Sequence, residues 1–478
     1  MRYIILLFVL MHSFLFAAKP KEKRSPPGRF LPAQSLVIAP DKTGPLAEHY
    51  ARIKYADALC AKEVIKFEKK MSGKAELLVE RPVVLAAFDS VNGSWHMVHV
   101  AVPNPIPESY FRDLRKAHTI AERNACKIPV RAITPGYSVE HVAGAGPTRL
   151  TVRLHYSRSG GKELSDLLTV YRMVYPRIPG KKETNYARAT AKAQFLYYTP
   201  GNDELFSEAF VKEGERFLRR KIRKAQEELK ALGVHSHAFP GKLLGDVFPD
   251  EIPLSLMVSE QWDPLFFLED QKGSLKRILA EYGINREEAF MWSVSTANAV
   301  GALQFTNKNN NGTYASVVRA YREAELVKSF EDGTRNMHNI IKAALCLLDL
   351  ELARSKKGIE LFVQDPVLGG ILPTAAYNGG PRAAERMIAE IERLNGKKLP
   401  LIDRAIMKLP NVLLPESYHS EKSRKSKVVQ KRMRGNTETP MYGRKYLFLM
   451  DHWESKKNDV YDRPLWAVFS LFILNVWH

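Results

Sequence analysis

The hydrophobic pattern of this 478-residue chain changes its period along its length, and that change bounds the folds open to it. Between about 40 and 200, short runs at 76–88, 95–102, 149–156 and 168–175 read as strands, several of them alternating apolar with polar residues. Leu150, Val152, Leu154 and Tyr156 fall on one face, as a half-buried strand requires. Two stretches of the same region, 46–70 and 108–126, carry helical spacing instead. Beyond residue 248 the alternation disappears, and the chain reads as helices joined by polar loops. The expected fold class is therefore multidomain α+β, with a mixed α+β domain of unassigned role at 40–200 and a mainly α-helical domain at 248–450. Length agrees, because single hydrophobic cores stop growing near about 250–300 residues.

Residues 201–247 lie between the two. Asn202 is placed to cap a long helix reaching Leu232, with Phe210, Phe217, Ile222, Ala225, Leu229 and Leu232 on one apolar stripe. The other face is rich in Lys, Arg and Glu, which predicts a connector packed on one side. His235 and His237 follow, but a His-x-His pair without further ligands makes no metal site.

The N-terminal end reads as a targeting segment. Met1-Arg2 precedes an apolar run from Tyr3 to Phe16, then Ala17-Ala18 and a charged stretch, which predicts a signal peptide at 1–18 and a linker at 19–39. Phe16 and Leu15 stand where a small residue is preferred, so an uncleaved anchor is the alternative. Export to the periplasm or cell envelope would permit a disulfide between Cys60 and Cys126; the alternative is three free thiols, with Cys346 in a helical core. The net charge of +20 invites a nucleic-acid reading. For an exported protein the expected partner is instead an anionic cell-wall polymer or membrane surface, and no nucleic acid. A basic segment occupies 418–434. The apolar stretch 465–477, within a final segment at 451–478, is shorter than the ~20 residues of a spanning helix and is expected to dock on the protein.

Chemistry concentrates in the helical half, in four pieces that occur in order. An apolar run from Ile252 delivers Glu260, followed by Gln261-Trp262-Asp263-Pro264. Then come Ser295 to Thr306, reading S-T-A-N-A-V-G-A-L-Q-F-T, then Asn339-Ile340 opening a helix through Leu352, then Ala375-Ala376-Tyr377-Asn378-Gly379-Gly380. A fifth piece, Glu438-Thr439-Pro440-Met441-Tyr442, closes the series.

This order resembles the soluble lytic transglycosylase family, whose catalytic domain has a goose-lysozyme-like helical fold. The family shows a catalytic Glu at a helix end, Ser-x-x-Gly-Ala-x-Gly-Leu-Met-Gln, Asn-Ile, Ala-Tyr-Asn-x-Gly and Glu-Thr-x-x-Tyr. Here Ser295, Ala299, Gly301 and Gln304 are kept, while Asn298 replaces the first Gly and Ala302-Leu303 replaces Leu-Met. The resemblance spans roughly 248–450. Its Glu normally lies about nine residues before the Ser, whereas Glu260 is much further away. An insertion of roughly 25 residues from Leu265 to about Phe290 must intervene, and Glu287 and Glu288 inside it compete with Glu260 for the role.

The resemblance implies cleavage of peptidoglycan glycan strands with no metal or organic cofactor. Glu260 would be general acid and base, with Ser295, Gly301, Gln304, Tyr377 and Asn378 contacting substrate or positioning the acid. Tyr377 would hydrogen-bond the carboxyl, and Gly301 would let a sugar approach the backbone. The chemistry needs a carboxyl protonated near neutral pH, and an apolar setting supplies that by raising its pKa. Hydrolysis aided by a second carboxylate, for which Asp263 is the nearby residue, and a wall-binding scaffold without activity are the competing readings.

Overall fold

The structure is a computed structural model of the chain. It describes residues 46–60, 62, 69–72, 75–78, 80–103, 106–117, 119–142, 149–156, 166–174, 197–198, 203–291, 293, 295, 299–307, 312–410 and 438–461. The expected signal, linker, basic segment at 418–434 and apolar stretch at 465–477 lie outside the described residues, as do Asn202 and Asn298.

Helix α1 (Ala47–Cys60) leads into a hairpin of β1 (Lys69–Ser72) and β2 (Ala75–Leu78), then into two ten-residue strands, β3 (Glu80–Asp89) and β4 (Ser94–Pro103). These two pair antiparallel along their whole length, from Glu80 opposite Pro103 to Asp89 opposite Ser94. The register is set at the turn, where the Asp89 carboxylate accepts from the Val91 and Asn92 amides at 2.9 and 3.3 Å. Helices α2 (Glu108–Lys116) and α3 (Ile120–Ala125) follow, then β5 (Arg131–Ala132), β6 (Tyr137–Val142), β7 (Arg149–Tyr156), β8 (Asp166–Val174) and β9 (Tyr197–Tyr198). The sheet order is β5-β4-β3-β8-β7-β6, antiparallel and curled toward a barrel, with β9 added parallel to β7.

Both faces of β3 are buried. Val83, Leu85 and Ala87 join Val98, Val100, Leu150, Val152 and Leu154 in a core that includes Tyr110 of α2. Ala86 and Phe88 face the other way, with Tyr171 and with Ile53 and Ala56 of α1, in the core shared with the C-terminal helices. The three cysteines are free. Cys60 sits in the core shared with the helices and Cys126 packs against the other core, so the sheet stands between them and the alternative of free thiols holds. Two expected helices end early. The one expected over 46–70 stops at Cys60, and 69–72 pairs as a strand. The one expected over 108–126 breaks at an extended Ala117, and Thr119 caps a new helix by accepting from the Glu122 amide at 3.1 Å.

The second half opens with α4 (Glu208–Ala231), capped at Ser207 rather than at Asn202 and ended at Gly233. Its stripe of Phe210, Phe217, Ile222, Ala225 and Leu229 is buried in the same core as the helices that follow, so the expected connector is an integral part of that domain. Then come α5 (Glu251–Gln261), α6 (Pro264–Glu269) and α7 (Gln271–Asn285). The segment read as an insertion holds two helices, and α7 lies along α4 at a glycine crossing. A Cβ on Gly214 would strike the Leu279 carbonyl, and one on Gly283 would strike the Phe210 carbonyl. The Tyr50 hydroxyl of α1 donates to the Gly283 carbonyl at 2.6 Å, joining the two halves at that crossing. The remaining helices are α8 (Thr313–Ala320), α9 (Phe330–Thr334), α10 (Met337–Ala353), α11 (Lys356–Gln364), α12 (Pro366–Gly369), α13 (Ile371–Gly379), α14 (Pro381–Asn395) and α15 (Glu438–Tyr461). Among the described residues no helix is long and apolar enough to cross a membrane.

His235 and His237 belong to a pinned loop. Buried Asp349 of α10 accepts from the Ser236 hydroxyl and the His237 amide, both at 2.5 Å, and from the Tyr321 hydroxyl. Among the described residues no cluster of three or more His, Cys, Asp or Glu is arranged to hold a metal ion.

Candidate active site

Helix α5 is apolar all round, and every residue from Ile252 to Ser259 is buried. Such a helix has no solvent face and must run through the middle of a domain. Glu260 is the first residue after Ile252 to regain partial exposure. The next three residues are each anchored to a different element. The Gln261 amide donates to the Ala302 carbonyl at 2.7 Å, and the Trp262 indole donates to the Ser274 hydroxyl of α7 at 2.6 Å. Asp263 caps α6 through the Leu265 amide at 2.9 Å and forms an ion pair with Arg123 of α3.

The Glu260 carboxyl hydrogen-bonds the Tyr442 hydroxyl from α15. Burial raises its pKa, Tyr442 and the Lys445 ammonium offset part of that rise and the Glu438 charge adds to it, leaving the carboxyl raised to about 8. The last turn of a helix adds to the burial effect in kind, since its exposed carbonyls disfavour a negative charge. The acid is therefore protonated at neutral pH, the state that a proton donor to a glycosidic oxygen requires.

The second motif folds into a tight loop beside this carboxyl. The Ser295 amide donates to the Ala299 carbonyl at 2.9 Å and its hydroxyl accepts from the Ala299 amide at 3.1 Å. Val300 bridges Phe305 across residues 301–304. Gly301 has a φ of +82°, and a Cβ there would stand 2.5 Å from the Thr334 carbonyl. Glycine is required for the backbone path and for the approach of that protein carbonyl. Gln304, half-buried, donates to the Ser293 hydroxyl at 3.1 Å and to the Gly301 carbonyl at 2.7 Å. The loop is braced from behind by Asn339, whose amide group donates to the Tyr314 hydroxyl at 2.7 Å and the Gly333 carbonyl at 2.9 Å.

Tyr377 stands near Glu260, whose charge together with burial drives the phenol pKa well up. Its hydroxyl donates to the Leu303 carbonyl at 2.7 Å, so it carries the 301–304 loop, and the hydrogen bond to the carboxyl comes from Tyr442. Asn378 is exposed in the last turn of α13. The competing carboxylates sit elsewhere: Glu287 is ion-paired with Lys221 of α4, and Glu288 is exposed with its charge felt by Arg172 of β8. Asp263 has one oxygen on its cap and the other on Arg123. A separate concavity of about 430 Å³ lies in the first domain, between Tyr110, Asp113, Lys116, Glu122 and Cys126, and shares no residue with this site.

Three contributors carried no assigned role in the sequence. Tyr442 closes the fifth motif piece, and its position there was the available signal. Gln261 and Lys445 gave none, because both act on backbone carbonyls brought near only by folding. No protein-family model, no curated protein and no solved structure matches this chain.

Proposed function

We propose that the protein is a peptidoglycan lytic transglycosylase that cleaves the bond between muramoyl and glucosaminyl units and leaves 1,6-anhydromuramoyl ends. The observation that supports this most is a carboxyl at the end of a buried helix, held protonated by burial and met by residues of the ordered motifs. Glu260 gives its proton to the leaving glycosidic oxygen. The substrate's N-acetyl oxygen stabilises the developing positive charge at the anomeric carbon. The Glu260 carboxylate then takes the proton of the muramoyl 6-hydroxyl as that oxygen closes on the same carbon, which restores the acid. One carboxyl serves both steps, consistent with the commitment of Asp263 to a cap and an ion pair. In this reading the protein is exported to the cell envelope, and its charge of +20 favours an anionic wall or membrane surface.

The test is product analysis of purified sacculi digested by the wild-type chain and by Glu260→Gln. Anhydro ends from the wild type and none from the variant, with folding intact, are expected. Reducing ends would mean that water is the nucleophile, with Glu438, whose charge reaches Glu260, as the carboxylate to test next. No cleavage by either protein, with sacculi still bound, would leave the scaffold reading.

A further inference from the structure

The carbonyls at the end of α5 converge on one side chain that no motif accounts for. Lys445, on α15, is only 2% exposed, yet its ammonium donates to the Ser259 carbonyl at 3.0 Å and to the Trp262 carbonyl. Those two acceptors flank Glu260 in sequence, one residue before it and two after it. A buried ammonium is costly unless acceptors surround it, and a helix C-terminus offers them at the negative end of its dipole. Two of the three N–H groups are committed to these carbonyls, which fixes the charge in place beside the carboxyl. Lys445 sits three residues after Tyr442, about one helical turn on, so a single face of α15 presents both the hydroxyl and the cation to Glu260.

We infer that Lys445 is a positioning residue for the acid: it holds the end of α5 by its carbonyls and stabilises the Glu260 carboxylate formed when the proton is given away. This rests on the proposed role of Glu260. Burial alone would make the carboxyl a reluctant donor, and a neighbouring cation offsets part of that reluctance without abolishing protonation near neutral pH. The other groups that act on the pair are few. Tyr442 and Glu438 come from α15, Tyr377 from α13, and Asp263, already paired with Arg123, from the loop after α5. Burial lowers the Lys445 pKa and Glu260, Asp263 and Glu438 offset part of that, leaving it lowered to about 8, so the side chain remains a cation at neutral pH.

Reciprocal titration tests this. In the full chain with ¹³C-labelled glutamate, Glu260 is assigned by its absence in Glu260→Gln and titrated in wild type and in Lys445→Gln. Glutamine can still donate to a carbonyl but carries no charge. The Glu260 titration is expected to move up by about one pH unit or more, and the alkaline limb of turnover on sacculi should move with it while kcat falls. Linkage demands the converse, so in Glu260→Gln the ¹⁵N titration of the Lys445 ammonium should move down. A capping role alone would lower stability and leave both titrations in place. Unmoved titrations in the folded variants overturn the inference, whether or not sacculi are cleaved. If Lys445→Gln does not fold, the Glu260→Gln arm decides alone.

Discussion

Two tyrosines beside Glu260 divide work that the sequence pattern assigned to one. Tyr442 hydrogen-bonds the carboxyl, whereas Tyr377 supports the 301–304 loop through Leu303. Tyr442→Phe removes a hydrogen bond to a group that is charged after proton transfer, worth about 1.5–3 kcal/mol. Turnover is expected to fall roughly 10- to 100-fold with little change in KM. The bond favours the ionised carboxyl, so its loss raises the Glu260 pKa further and moves the alkaline limb of the pH profile upward. Tyr377→Phe should instead lower the thermal midpoint, for a neutral bond of about 1 kcal/mol, and leave that limb in place. Steady-state kinetics across pH 5–10 on both variants, with melting curves, would separate the roles, and an alkaline limb moved by Tyr377→Phe alone would reverse them. Glu260, Tyr377 and Gln304 were legible because their types recur in an ordered pattern. What each touches was not, since Tyr377 reaches a carbonyl 74 residues away.

Element boundaries followed local signals where those were read fully. The strands at 95–102, 149–156 and 168–175 appear within two residues of the bounds of β4, β7 and β8, because alternation reports a sheet with buried faces. The helix expected over 108–126 ignored Thr119 and Glu122, a cap signal inside the run. The segment from Leu265 to Phe290 looked like an interruption of an ordered motif series, yet it supplies α7, which packs on α4 through paired glycines. Periodicity identifies a helix but says nothing about how near a second backbone will come. Gly283→Ala should push the two helices apart and destabilise the protein by about 1–3 kcal/mol. Chemical denaturation of the variant checks this, and a wild-type midpoint would show that the crossing is looser than its geometry.

The two regions expected to be separable share a core. Ile53 and Phe88 from the first half belong to one buried cluster with Phe217, Leu279 and Leu348, and the Arg123–Asp263 pair ties α3 to the residue that follows the α5 end. A chain beginning at residue 240 would lose α4 and expose the faces of α7 and α10 that pack on it. It is expected to be insoluble or to melt without cooperativity, whereas the division at 201–247 predicts a stable, active piece. Circular dichroism and a melting curve on residues 240–478 decide between them. The shared core was hidden from the sequence because an amphipathic helix shows that a face is buried, never against what. One long-range contact has a consequence in time. Lys445 reaches back 186 residues to the Ser259 carbonyl and 183 to that of Trp262. A chain that emerges from its N-terminal end has made Glu260 long before it makes Lys445 and Tyr442. Until α15 arrives and docks, the acid lacks both its hydroxyl and its cation. On the proposed reading, such an acid would stay incomplete, and a potentially harmful activity blunt, until the last described helix had been made.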